Sequence, residues 1–287
     1  MKIAIASGKG GTGKTLESTS AAWMLARQGL PVTYVDADVE APNGHLFLHP
    51  EISSPTRFAR PVPRLARERC SGCGECQRFC RFNAILALSD KVLVFEELCS
   101  SCGGCELVCP EDALCGVPRE IGTLQTGVAP AGGDRSIAFI SATLDVGEAR
   151  AVPLIEGLLD RAQSQGTIII DAPPGTSCSA MAIVKHADLV VLVTEPTPFG
   201  LHDLKQAVAM TEVLRKPLLA AVNRCDLGNG ETRRYLEKRS IETIVKIPYL
   251  TEVAEAYAQG KLAVEQSERF RKLIEPLASR IAEGVAP

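Results

Sequence analysis

The stretch Ile3-Ala4-Ile5-Ala6-Ser7-Gly8-Lys9-Gly10-Gly11-Thr12-Gly13-Lys14-Thr15 decides how the rest of the chain is read. A short apolar run, expected to be a buried strand, passes into a glycine-rich turn and then into a helix-length segment, Lys14 to Gln28. Gly8, Gly10, Gly11 and Gly13 free the backbone N–H groups to curl around phosphate oxygens, and the helix N-terminus adds positive dipole. Lys14 is placed to neutralise β- and γ-phosphate charge, and the Thr15 hydroxyl to hold Mg²⁺. A purely structural turn would need neither Lys14 nor Thr15.

Working outward, short apolar runs recur at Val32 to Val35, Ile137 to Ile140, Ile168 to Ile170, Leu189 to Val193, Leu218 to Val222 and Ile244 to Ile247. Several are continuous Val, Ile and Leu, as expected of strands covered on both faces. Helix-length segments lie between them: Ala151 to Ala162, Leu201 to Leu214 and Thr251 to Gln259. The alternation implies an α/β fold with a doubly wound, mostly parallel sheet. From Glu265 to Glu283, Phe270, Leu273, Ile274, Leu277 and Ile281 recur at helical spacing, and the mixed charges between them suit a core-facing helix rather than a membrane-surface one.

With 31 Lys and Arg against 34 Asp and Glu, the formal charge of −3 argues against nucleic-acid binding through bulk positive charge. No apolar run approaches the roughly 20 residues of a membrane helix. The sequence also runs from Met1 straight into the first strand, so a cytoplasmic protein is expected. The alternation breaks between about Pro55 and Gly122, and eight of the eleven cysteines fall within that segment between Cys70 and Cys109. They form a duplicated run, Cys70-x-x-Cys73-x-x-Cys76-x-x-x-Cys80 and Cys99-x-x-Cys102-x-x-Cys105-x-x-x-Cys109-Pro110. Ahead of it Arg57, Arg60, Arg64, Arg67 and Arg69 crowd together, as a solvated linker or as a docking patch for an acidic partner.

The duplicated run resembles that of bacterial two-cluster ferredoxins, in which three thiolates of a run bind one 4Fe-4S cube and the fourth crosses to the other. That resemblance implies one cluster on Cys70, Cys73, Cys76 and Cys109 and a second on Cys99, Cys102, Cys105 and Cys80. Zinc is the rival, but zinc sites pair Cys-x-x-Cys knuckles and do not ask for three evenly spaced cysteines. Arg81 stands where proline is usual in the first run and is expected to raise the potential of the cluster bound by Cys80.

The glycine loop, with its early Lys9, resembles the deviant Walker A ATPases of the MinD, ParA and Mrp group. The resemblance implies that Lys9 reaches across an ATP-dependent homodimer to the partner's nucleotide, as an arginine finger would. Asp36-Ala37-Asp38 resembles switch I, with Asp38 orienting the attacking water and touching the Mg²⁺ shell. Asp171-Ala172-Pro173-Pro174-Gly175 resembles Walker B running into switch II, with Asp171 holding Mg²⁺ through water and Gly175 sensing the γ-phosphate. Asn223 stands where the family contacts adenine. Leu16 departs from the pattern, since a hydroxyl residue is usual there, and the α-phosphate contact is in question.

The whole chain thus resembles a MinD/Mrp-type P-loop ATPase, residues 1–56 and 121–287, carrying an inserted α+β ferredoxin-like domain at 57–120. Two outputs follow from that resemblance: ATP-dependent electron transfer to a redox partner, or assembly and carriage of iron–sulfur or metal cofactors for a client protein. Membrane or DNA positioning is disfavoured, because a basic amphipathic tail and a DNA-binding segment are both lacking. Cys178 follows Asp171 by seven residues and is read as a half-buried thiol or transient metal contact rather than a permanent bridging ligand; Cys115 and Cys225 are read as structural, and His45 and His49 as packing or surface residues.

Overall fold

A computed structural model describes residues 1–88, 91–162 and 166–284. Its strands are β1 (Lys2–Ala6), β2 (Val32–Asp36), β3 (Glu51–Ile52), β4 (Thr56–Leu65), β5 (Ile85–Ala87), β6 (Val92–Val94), β7 (Leu114–Pro130), β8 (Ser136–Leu144), β9 (Thr167–Asp171), β10 (Leu189–Thr194), β11 (Leu218–Asn223) and β12 (Thr243–Ile247). The helices are α1 (Lys14–Arg27), α2 (His45–Leu48), α3 (Glu75–Phe79), α4 (Gly104–Leu107), α5 (Val152–Arg161), α6 (Cys178–His186), α7 (Pro198–Val213), α8 (Glu231–Lys238), α9 (Thr251–Ala258), α10 (Ala263–Gln266) and α11 (Glu268–Ala282). The chain divides into two compact units, a large one of residues 1–55, 124–143 and 155–287 and a small one of 56–123 and 144–154.

In the large unit the sheet order is β12-β11-β10-β1-β9-β2-β8, then β7 and β3. The seven runs read as strands from sequence are the seven from β12 to β8, and they pair parallel with one another along that order. Every residue of β2 and β10 is buried, which accounts for their near-continuous apolar sequence. β3 pairs antiparallel with the far end of β7. α1 buries thirteen of its fourteen residues, and Trp23, Met24 and Leu25 join a core that also holds Phe270, Ile274, Leu277 and Ile281 of α11. The C-terminal periodicity therefore does mark a core-facing helix. Ser267 caps it by accepting from the Phe270 N–H at 3.1 Å, and Thr197 caps α7 in the same way from Gly200 at 3.0 Å.

In the small unit β4 pairs with β7, β5 and β6 form a hairpin, and α3 and α4 each begin after a left-handed glycine, Gly74 (φ 75°) and Gly103 (φ 69°). Its apolar clusters are slight. One gathers Val62, Ala84 and Cys99 with Cys80 and Val117 against them; the other gathers Cys76, Ile85 and Leu114 with Cys105 among their neighbours. Cys76 and Cys99, the two buried ones, thus take places that leucines and valines hold in the large unit.

The arginines before the first cysteine are engaged within the chain only in part. Arg57 is engaged by Glu120 at 2.8 Å and by Asp145 through both terminal nitrogens. Arg60 is only 2% exposed. Arg57, for all its pairing, is exposed, as are Arg64, Arg67 and Arg69. Residues 144–154 supply Asp145, Glu148 and Arg150 to this charge network, which is why they fold with the small unit although they carry no cysteine.

Candidate functional site

Gly8 to Thr15 join β1 to α1. Gly13 adopts φ 106°, and a side chain there would run into the Asn223 amide. Gly8 lies against the Asp203 backbone of α7 with no room for a Cβ. The loop is pinned from outside, since the Asn223 side-chain N–H₂ donates to the Thr12 carbonyl at 2.9 Å. Asn223 also lines a cavity of about 330 Å³ with Gly11, Gly13, Leu16, Pro248, Tyr249 and Tyr257. Leu16 therefore offers this cavity an apolar wall where a hydroxyl had been the family expectation.

β2 and β9 are in register such that Asp36 stands beside Asp171. Both are buried, and Asp36 is pushed up to about 7 by burial and by the Asp171 charge, against the pull of backbone N–H groups. Those N–H groups come from Asp38 at 3.3 Å, Asn43 at 2.8 Å and Gly44 at 2.7 Å, so Asp36 ties down the segment that carries Asp38. Asn43 in turn accepts from the Thr15 hydroxyl at 3.0 Å. Asp171 Oδ2 accepts from the Tyr34 hydroxyl at 3.1 Å, while Oδ1 is buried with no protein partner. Burial raises the Asp171 carboxyl although Lys14, Thr15 and Tyr34 oppose it. Burial also raises Asp38, with Lys14 opposing.

An orphaned carboxylate oxygen, a hydroxyl and a half-buried carboxylate around one lysine suit Mg²⁺, a hard cation that takes one or two protein oxygens and fills its octahedron with water and phosphate. Among the described residues no three His, Cys, Asp or Glu side chains form a group that could hold a metal ion by themselves.

Two placements bear on the switch residues. Gly175 (φ 89°) donates its N–H to the Ser7 carbonyl at 2.9 Å, so that group is engaged within the chain. Lys9 does not project freely. Its ammonium pairs with Glu195 Oε1, and Arg224 holds the other oxygen at 3.0 Å. Burial pushes the Glu195 carboxyl up, but Lys9 and Arg224 outweigh it and hold it below the usual range. Sequence reasoning missed Asp36 as an anchor, Tyr34 and Glu195. Only Asp36 carried a signal, a second carboxylate two residues before Asp38.

The eight clustered cysteines line two separate recesses of the small unit. Cys70, Cys73, Cys76 and Cys109 line one, with Leu65, Val92 and Leu114. Cys80, Cys99, Cys102 and Cys105 line the other, with Pro61, Phe79 and Phe82. Each recess draws three cysteines from one run and the fourth from the other. The duplication extends to hydrogen bonds: Ala84 N–H meets Cys80 Sγ at 3.4 Å, and Ala113 N–H meets Cys109 Sγ at 3.2 Å, four residues on in each case. All eleven cysteines are free thiols. Burial pushes the Cys76 thiol up, with Cys109 and Cys70 adding to it, and pushes Cys105 up to about 11, with Cys99 adding. Cys102 is lowered by the Gly104 N–H and the Ser100 hydroxyl. Thiolates crowded this way repel one another unless a cation lies between them.

Residues 3–264 match the model of the CobQ/CobB/MinD/ParA nucleotide binding domain. The chain belongs to this family. The fold is that of the septum site-determining protein MinD of Pyrococcus horikoshii, solved with Mg-ADP, at a TM-score of 0.59 and 18% identity over 99% of this chain and 97% of that one. An uncharacterized protein of Methanocaldococcus jannaschii, MJ0578, is 29% identical over 99% of this chain and 98% of its own length. An iron-sulfur cluster carrier protein of Pyrococcus abyssi is 27% identical, but over only 40% of this chain and 46% of the carrier. Membership in the family accounts for the loop, the paired strand-end carboxylates and the parallel sheet. Among the described residues no helix is long and apolar enough to cross a membrane.

Proposed function

We propose that this protein is an ATP-hydrolysing iron–sulfur protein in which a nucleotide-dependent homodimer governs electron transfer through two 4Fe-4S clusters. The observation that carries the reading is the pair of four-cysteine recesses, each drawn from both runs, in a chain that also has a phosphate-binding loop. The donor sets fit the clusters: eight thiols, N–H groups directed at sulfur, and apolar clusters too slight to support the small unit alone.

In the nucleotide site, Gly8 to Gly13 receive the phosphates on backbone N–H groups, with Gly10, Gly11 and Thr12 in the loop, and Lys14 offsets their charge. Thr15, Asp38 and Asp171 would hold Mg²⁺, which when bound offsets charge on the β- and γ-oxygens. Asp38 accepts a hydrogen bond from water and aims it at the γ-phosphorus, giving ADP and phosphate. Lys9 leaves Glu195 to meet the nucleotide of a second copy, and Gly175 exchanges the Ser7 carbonyl for the γ-phosphate. Asn223 and the apolar cavity beside it take the base. Each exchange replaces a contact made within the chain (Lys9 with Glu195, Gly175 with Ser7), which would couple nucleotide binding and dimer formation to the switch segments.

The test is an anaerobic preparation assayed for ATP hydrolysis and for electron delivery from dithionite to an external acceptor. The reading expects MgATP to change the delivery rate or the cluster potentials, and Lys14→Ala to abolish the change. Equal rates and potentials with and without MgATP would sink it. A second reading, cofactor assembly or carriage, is favoured by the partial likeness to iron–sulfur cluster carriers. It expects cluster transfer to an apo-client that depends on Lys14.

A further inference from the structure

The two recesses are related by sequence duplication but differ in what stands behind them. Behind Cys99 lies Arg60 of β4, the bulkiest fully buried side chain among the described residues. Its Nη1 donates to the Cys99 carbonyl and to the Ser101 hydroxyl, both at 3.0 Å, and its Nη2 donates to the Glu96 carbonyl at 2.8 Å. Ser101 in turn gives its backbone N–H to Cys99 Sγ at 3.3 Å. Ser101 does this in the left-handed region, at φ 60°, a conformation unfavourable for a residue with a Cβ. The duplicated position in the first run is Gly72, φ 73°, which needs no support. Arg60 thus holds in place a strained residue that its twin recess does without.

The charges differ as well. Arg60 has one buried counter-ion, Glu148 at 3.5 Å, and that carboxylate is shared with Arg119 at 3.2 Å. Arg119 also faces the more exposed Glu96 and Glu97. Arg78, Arg81 and Glu106 line the recess itself, and Arg78 and Arg81 are open to solvent. Around Cys70, Cys73, Cys76 and Cys109 the charged lining groups are Glu75 and Glu111. The cations on this side are all exposed: Arg78 donates to the Cys73 carbonyl at 3.1 Å and pairs with Glu75, and Arg67 and Lys91 line the neighbouring recess that shares Cys70. A buried cation acts through a lower dielectric than an exposed one, so Arg60 outweighs Arg78 and Arg81.

We propose that Arg60 is a positioning residue that makes the two clusters unequal: it fixes the Cys99–Ser101 loop and favours the reduced state in the recess of Cys80, Cys99, Cys102 and Cys105, so that a single electron settles there. The proposal rests on the two-cluster reading above. It moves the source of the asymmetry from Arg81, the residue the sequence singles out, to one that becomes visible only in the fold.

The test is a dithionite titration of the anaerobic protein followed by electron paramagnetic resonance, with iron and sulfide measured on each sample. Wild type should reduce in two separate steps. Arg60→Met should lower the upper step by about tenfold in its reduction equilibrium, 59 mV for one electron, and leave the lower step in place. Arg60→Lys, which keeps charge but loses the planar fork, should fall between. Glu148→Gln removes the counter-charge and should move the same step upward; this variant decides the matter if Arg60→Met fails to assemble. Full iron content with both steps unmoved in Arg60→Lys and Glu148→Gln overturns the proposal. A wild-type preparation that holds no such clusters overturns the two-cluster reading itself, and the metal analysis separates the two failures.

Discussion

The large unit and the small unit solve the problem of burial in different ways. β1, β2, β9 and β10 are packed with Ile, Val and Leu, and α1 and α11 close over them with Trp23, Phe270 and Ile274. Around its thiols the small unit has two small clusters, Val62 and Ala84 with Cys99, and Ile85 and Leu114 with Cys76, besides Ile121 and Leu154 elsewhere in it. At roughly 25 cal/mol per Å² of apolar surface, a core of that kind offsets little of the entropy of ordering the chain. If the proposed clusters are present, the parallel sheet folds on its own side chains whereas the cysteine unit leans on what its thiolates hold.

The largest effect should come from removing metal. Chelation of iron under denaturant-free conditions should cost the small unit several kcal/mol and strip amide protection from 56–123, while the large-unit strands stay protected. Hydrogen exchange read by mass spectrometry separates the two, and uniform loss across both units would break the comparison.

A second effect sharpens the large-unit side. Glu17 of α1 is completely buried with neither carboxylate oxygen hydrogen-bonded, and burial pushes it up to about 8. Its folded value lies above its unfolded one, so the folded chain binds the extra proton between about pH 4.5 and 8. Stability should therefore decline as pH rises through that window, by up to about 1.4 kcal/mol per pH unit. Glu17→Gln should remove this share of the slope in urea titrations, leaving the part due to Asp36. An unchanged slope would show that Glu17 finds a partner in solution.

Lys14→Ala should weaken ADP binding by about thirtyfold, the value of one strong charge-assisted contact, without changing iron content. Loss of iron in that variant would show that cluster retention depends on Lys14. The smallest effect is expected at Glu195. Its pair with Lys9 is partly exposed and worth about 1 kcal/mol, so Glu195→Gln should favour ATP-dependent dimerisation roughly fivefold. Lys9→Ala should retain ATP binding and lose dimerisation, as sedimentation would show; dimerisation unaffected by either change would remove the role of Lys9 across the interface.

Much of this was legible in the sequence because it is local. The phosphate loop needs its glycines, Lys14 and Thr15 within eight residues, and buried parallel strands advertise themselves as continuous apolar runs. The cysteine runs carry their spacing openly. What stayed hidden depends on distant partners: Lys9 meets Glu195 across 186 positions, and Arg57 meets Asp145 across 88. Composition alone made Arg57 and Arg60 look like a surface patch, because a charge run gives no sign of whether carboxylates and carbonyls will fold around it. Residues 144–154 were assigned with the nucleotide-binding half for the same reason: Glu148 acquires its meaning only beside Arg60 and Arg119.

The central claim is that one chain joins a nucleotide site of this family to two iron–sulfur clusters. Metal and acid-labile sulfide analysis of the protein purified without oxygen tests it most directly. The account predicts about eight iron and eight sulfide per chain. Zinc in place of iron, or iron without sulfide, would contradict it.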